Sequence, residues 1–396
     1  MKKCYLLILL LLLQYPAVSQ NFSAIESFFF EKVKQKQLGG VVALVAREGK
    51  ILHFNTYGYM DVERSVPMDK NAIIPIASMT KVITSIGILI LQEEGKLNLE
   101  DPIEMYLPQF CNLKVCVKPD GTETESVVTK PTIRHLLNHT SGLVYSGGNT
   151  LPDKQYVEAG FREWNKPLSE FINGIVVIPF AFHPGTMWKY SYSHDVLGYL
   201  IEVVSNSTLD SFLKERLFLP LGMNDTDFYI PEEKSGRQSD LYLYKDDSLN
   251  KVDSSSNSIY HHLPVALSGG GGWYDSYGGV VSTVSDFYLL ADWLLNYDKP
   301  THTDILNPSS LKMMISNQIG ELFAFDNYKY GLGVGITVGS NGLTKEIFWS
   351  GSPYNTYFWI DYEKKEIGIL FTNTSPYGHL DIMNEFKNKV SLTNEK

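Results

Sequence analysis

Residues 74–85 read IPIASMTKVITS, a helix-like apolar run with one lysine inside it. Lys81 follows Ile76, Ala77 and Met79 and precedes Val82 and Ile83. Burying an ammonium without a partner is costly, and burial drives the amine toward its neutral form. Ser78 stands three residues earlier, which on a helix puts the two on one face, about 5–6 Å apart at Cβ. A neutral lysine so placed can take the serine proton, and a charged one can stabilise an alkoxide or a deprotonated tyrosine. At a helix N-terminus the serine also meets the positive end of the helix dipole, and its N–H is open to an oxyanion. The plainer alternative is a serine cap with a lysine snorkelling to solvent.

Spacing alone does not choose between these. Ser-x-x-Lys occurs four times, at Ser78/Lys81, Ser211/Lys214, Ser248/Lys251 and Ser309/Lys312. Ser211 reads as the wet side of an amphipathic helix, Ser248 sits in the charged KDDSLNK, and Ser309 after Pro308 is most simply an N-cap. Each of these three has a plainer reading, whereas Lys81 lies inside a strongly apolar helix-like run. A second segment supplies context: HPGTMWKYSYSHDVLGY (183–199) runs from a Pro-Gly turn to Tyr190 and into a helix near Asp195. A tyrosine beside a cationic lysine ionises below its usual value of about 10 and can act as a general base.

Around these residues, β-rich segments lie at both ends of the chain. VVALVAREGKILHFNTYGY (41–59) predicts a hairpin about Glu48-Gly49-Lys50, and residues 330–374 return to β character. Helices are expected over 25–37, 78–94 with Gly95 as C-cap, 132–138, 195–205, 208–217, 282–296 and 380–390. The simplest architecture is one sheet assembled from the two ends (about 20–100 and 275–396), with a helix-rich insertion over about 101–274.

The 396 residues carry a net charge of −10, with 44% hydrophobic and 20% charged residues. MKKCYLLILLLLLQYPAVS (1–19) has the charged start, the apolar stretch and the small-residue Ala17-Val18-Ser19 of a signal peptide. Its apolar stretch is shorter than the roughly 20 residues a membrane span needs. Removing it takes Lys2 and Lys3 and no acids, leaving 32 basic against 44 acidic residues, a net charge of −12. The expected product is exported, periplasmic or secreted, with no stable membrane insertion and no basic field to recruit nucleic acid. Cys4 leaves with the signal, and Cys111 and Cys116 could pair in an oxidising compartment. No metal or organic cofactor is implied.

In sequence, these motifs resemble the serine hydrolases related to class C β-lactamases and penicillin-binding peptidases, most closely their carboxylesterase branch. Ser78-Met79-Thr80-Lys81 matches the nucleophile motif. PTIRHLLNHTSGL (131–143), PGTMWKYSYSHDVLG (184–198), PLGMNDTDF (220–228), GGVVSTVSDF (278–287) and FWSGS (348–352) follow in the family's order, so the resemblance covers about residues 25–375. It implies a mixed α/β fold of the β-lactamase/transpeptidase type, an antiparallel sheet flanked by helices, forming one domain over 20–396. It also implies an acyl-enzyme on Ser78, with Lys81 and Tyr190 moving protons. The oxyanion would lie between the N–H groups of Ser78 and of Ser352 on an edge strand. Tyr192, Asp195, Trp349, Ser350 and Gly351 fall at positions that face substrate in the family.

Two departures bear on the substrate. The Tyr-x-Asn of lactam and peptide enzymes ends here in Tyr192, which exchanges an amide for a phenol. Trp349 stands where a lysine or histidine attracts a substrate carboxylate, and losing that cation forfeits a charge-assisted hydrogen bond. Both favour an esterase-like hydrolase or acyl transferase over an efficient β-lactamase, since an uncharged ester or amide does not need that cation. A β-lactamase or D-alanyl-D-alanine peptidase, and a silent binding protein of the same fold, are the alternatives. Trp188, Trp273 and Trp349 could line an apolar acyl pocket, and SGGGG (268–272) needs backbone freedom near a site or in a mobile loop. The chain has no Gly-x-Ser-x-Gly elbow. His139 is read as structuring its loop and His194 as a neighbour of the cleft.

Overall fold

A computed structural model describes residues 22–118, 121, 123–145, 148, 150–158, 167–252, 267–271, 279–299, 305–325 and 327–393. The N-terminal part runs α1 (Ser23–Lys34), β1 (Gly40–Arg47), β2 (Lys50–Asp61), β3 (Val66–Pro67) and β4 (Ile74–Pro75). A 3₁₀ turn over Ala77–Met79 then leads into α2 (Thr80–Glu93). The helix-rich middle includes the short helix Ile133–Leu137 and α3 (Ser193–Ser205). The chain closes with β5 (Val281–Ser282), α4 (Val284–Leu295), β6 (Lys329–Tyr330), β7 (Gly335–Val338), β8 (Thr344–Gly351), β9 (Thr356–Asp361), β10 (Glu366–Thr372) and α5 (Ile382–Leu392).

Both ends of the chain build one eight-stranded sheet, in the order β6-β7-β8-β9-β10-β1-β2-β3, with antiparallel neighbours throughout. The hairpin between β1 and β2 turns at Glu48 and Gly49, both at positive φ (51° and 75°), the pairing that a tight two-residue turn demands. Side chains alternate across a strand, and β1 uses both faces. Val42, Leu44 and Ala46 join the large core that holds α2 and α4, while Val41, Ala43 and Val45 join the core under α1 and α5. A strand covered on both sides is apolar without alternation, which is how VVALVA reads.

Helix α2 runs through the large core, with every residue from Thr80 to Leu91 buried. It stops where expected: Gly95 adopts φ 69° and its N–H bonds the Gln92 carbonyl at 2.9 Å. Thr283 caps α4, its hydroxyl accepting from the Asp286 N–H at 3.1 Å. Ser309 is not a cap. Asn307 takes the cap position of the helix Pro308–Met314, because proline suits the first helical turn.

Cys111 and Cys116, which could have paired, are not joined to each other. Cys111 follows the turn Pro108–Phe110, while Cys116 ends an extended strand, Lys114–Cys116, paired with Thr124–Ser126. An extended run advances about 3.3 Å per residue, which carries one thiol away from the other. Among the described residues no helix is long and apolar enough to cross a membrane. The signal-like residues 1–19 and Trp273 lie outside the described residues.

Candidate active site

Ser78 sits in the 3₁₀ turn that joins β4 to α2. The residue before it, Ala77, holds φ 48°, a left-handed conformation costing an alanine roughly 1–2 kcal/mol. Two glycine backbones press on this turn. A Cβ at Gly271 would lie 2.1 Å from the Ala77 carbonyl oxygen, and one at Gly351 would lie 2.4 Å from that of Ile76. Only glycine permits both approaches.

Lys81 is fully buried one turn later. Its Nζ donates to Ser78 Oγ at 3.3 Å, to the Tyr145 hydroxyl at 3.3 Å and to the Gly270 carbonyl. It also lies 4.6 Å from the centre of the Tyr190 ring. Burial pulls its pKa down to about 7, and the nearby Asp195 carboxylate offsets this only in part. The predicted serine, lysine and tyrosine therefore converge.

Tyr190 has a half-buried ring and a buried hydroxyl that makes no hydrogen bond. Burial raises its pKa well above the usual phenol value. The adjacent Ser78 hydroxyl and Trp349 indole lie close enough to oppose that rise. This phenol is protonated at neutral pH, whereas the lysine is poised to lose its proton.

The glycine-rich segment is one wall of this site. Thr84 Oγ1 donates to the Gly269 carbonyl at 2.7 Å, and Ser268 Oγ donates to Asp195 Oδ1 at 2.6 Å. The Gly270 N–H bonds the same carboxylate oxygen at 3.3 Å. Asp195 thus does not face a substrate, as its motif position suggests. It is buried in the first turn of α3 and ties residues 268–270 to the helix.

Other predicted contacts move for equally local reasons. Tyr192 is 4% exposed and packs against Tyr145, with ring centres 4.3 Å apart, and against Tyr156 and Phe171. It is a core ring rather than a substrate contact. Ser350 alternates to the opposite face of β8 from Trp349 and bonds the Tyr377 hydroxyl at 2.7 Å. Gly351 packs on the nucleophile turn instead of lining the cleft. Trp349 does reach the site, its ring 5.5 Å from Tyr190 and 5.2 Å from Tyr330.

Strand β8 lies inside the sheet, not at its edge. However, β7 stops opposite Phe348, so Trp349–Gly351 pair on one side only, with β9. Exposed Ser352 follows directly. His194 is buried beneath the site rather than beside the cleft, its Nε2 3.1 Å from Ser85 Oγ. His139 is buried too, at φ 61°, with Nδ1 3.1 Å from Ser191 Oγ. Burial holds both imidazoles well below their usual pKa, so neither is a ready cation.

Tyr145, the Gly270 carbonyl and Phe325 were not singled out from sequence. Tyr145 lies two residues beyond the NHTSGL segment, but tyrosine is too common here to stand out. Phe325 is 57% exposed, holds φ 49°, and lies 4.9 Å from Trp188, 6.1 Å from Tyr190 and 6.2 Å from Trp349, ring centre to ring centre. Trp188 packs against the Phe325 ring. Away from the site Asp61, Glu63 and Asp240 approach one another, but Arg64 Nε holds Asp61 at 2.5 Å and Lys251 holds Asp240 at 2.5 Å.

A family profile described as Beta-lactamase matches residues 25–390. The chain belongs to the beta-lactamase family. As a serine hydrolase of this family it is 33% identical over 214 residues to Esterase EstB of Burkholderia gladioli, covering 52% of each chain. It is 32% identical over 222 residues to Penicillin-binding protein 4* of Bacillus subtilis (strain 168), covering 54% of this chain and 43% of that protein. The match thus spans about half the length of each of these two relatives. Its fold matches that of EstCE1, described as a hydrolase with promiscuous acyltransferase activity. The TM-score is 0.79 at 20% identity, over 94% of this chain and 99% of the other.

Proposed function

We propose that this protein hydrolyses neutral carboxylic esters of small molecules through an acyl-enzyme on Ser78. The observation that carries this is the buried Lys81 amine, 3.3 Å from Ser78 Oγ and with its pKa brought down to about 7. The neutral amine takes the serine proton as Oγ attacks the ester carbon. The N–H groups of Ser78 and Ser352 receive the oxyanion. The C–O bond then breaks, Tyr190 gives its proton to the leaving alkoxide, and the Lys81 ammonium replaces that proton. Water enters where the alcohol left, and the same groups release the acid.

The preference for a neutral substrate rests on what surrounds Tyr190. Among the described residues its ring neighbours include Trp188, Phe325 and Trp349. A carboxylate there would lose its hydration against aromatic rings, whereas an apolar acyl chain fits the aromatic wall. Cleavage of p-nitrophenyl butyrate is expected to exceed that of nitrocefin by orders of magnitude. Rapid nitrocefin turnover without ester cleavage would instead assign the protein to lactam or peptide substrates. Export through residues 1–19 belongs to the same proposal, and N-terminal sequencing of the mature protein tests it.

The pH dependence follows from Lys81. Below pH 7 the amine is charged and cannot accept a proton, so kcat/KM should climb through a midpoint near 7 as pH rises. It should then stay level, because burial delays ionisation of Tyr190. A profile flat across pH 6–8 would remove Lys81 from the role of base.

A further inference from the structure

Trp349 and Tyr190 each carry a buried polar atom without a hydrogen-bond partner, the indole Nε1 and the phenol oxygen. Their rings are in contact, with centres 5.5 Å apart. The chemistry of the two atoms is unequal. An indole N–H can only donate, whereas a phenol can donate one bond and accept others. If the indole donates to the phenol oxygen, the phenol hydrogen must point elsewhere, and the Ser78 hydroxyl is another polar neighbour of that oxygen.

We propose that Trp349 is a positioning residue: its indole N–H donates to the Tyr190 oxygen and turns the Tyr190 proton toward Ser78 and the leaving group. An ammonium at the same place would favour the phenolate and make Tyr190 a proton acceptor. A neutral donor leaves the phenol protonated and makes it a proton donor. Trp349 thus fixes the direction in which Tyr190 moves its proton, besides lining the pocket. This rests on the ester-hydrolase reading above.

Two measurements test it. Alkyl esters need a proton on the departing alkoxide, while p-nitrophenolate leaves without one. Trp349→Phe keeps an aromatic wall but has no N–H. It should lower kcat/KM for ethyl butyrate about tenfold or more, a lost hydrogen bond's worth, and that for p-nitrophenyl butyrate by less than about threefold. Tyr190→Phe should show the same split, enlarged. Equal losses on the two esters, or no loss, would overturn the proposal, since a merely structural role slows both alike.

The second measurement needs no substrate. In Trp349→Lys, ultraviolet difference titration should reveal a tyrosinate forming at least about one pH unit lower than in the unaltered protein. That signal should vanish in Trp349→Lys/Tyr190→Phe. Its absence from a folded Trp349→Lys protein would show that residue 349 does not reach the phenol oxygen. Should Trp349→Lys fail to fold, the Trp349→Phe ester comparison decides alone. Should the protein cleave neither ester while the titration behaves as expected, the ester reading fails and the Trp349–Tyr190 contact stands.

Discussion

Lys81→Met is expected to slow ester acylation by about 10²–10⁴, the usual worth of a positioned proton acceptor, while raising the melting temperature. Methionine has nearly the length of lysine and suits the apolar cavity around α2. The stability gain follows from the proton balance. The lysine pKa falls from 10.5 when unfolded to about 7 when folded. The unfolded chain therefore binds more protons between these values, and folding bears the full cost of the buried amine below pH 7. The cost shrinks as pH rises and vanishes above about 10.5. The melting-temperature advantage of Lys81→Met should accordingly be larger at pH 7 than at pH 10. A variant that loses activity and stability together would mean that Lys81 holds the fold rather than the chemistry. One that keeps activity would refute its role as base.

Ser78→Ala should remove covalent labelling by a fluorophosphonate and lower ester turnover by at least about 10⁴, because loss of a nucleophile disables the groups that act through it. The change deletes one oxygen from a partly exposed position, so folding should be unaffected. Intact-mass measurement of the unaltered protein should find the acyl or phosphonyl adduct on Ser78. Lack of labelling in the unaltered protein would point to a silent relative that keeps the fold. Labelling that persists in Ser78→Ala would place the nucleophile on another residue.

Several parts of the site were legible because their signals are local. A lysine between apolar residues announces its own burial, and three-residue spacing announces that a serine shares its helix face. The Glu48-Gly49 hairpin and the Gly95 helix stop are equally local, each tied to one backbone conformation. Residues of unchanged chemistry but altered orientation were not legible. Ser350 follows Trp349 by one position, and the pleat alone sends it to the opposite face. Tyr192 follows Tyr190 by two, yet the chain turns into α3 and delivers that ring to the core. Asp195 and His194 lie in the first turn of the same helix and go under with it.

By itself the sequence determined the elements, the buried amine and the choice of Ser78 among four similar motifs. These depend on side-chain chemistry and on periodicities of a few residues. Only the tertiary structure decided that Tyr145, 64 positions from Lys81, and the Gly270 carbonyl, 189 positions away, share its ammonium. It also decided that the indole of Trp349 meets Tyr190. Such meetings depend on how strands from both chain ends pair and how α2 and α3 pack. Close packing fixes those long-range positions, and no short stretch of sequence carries that information.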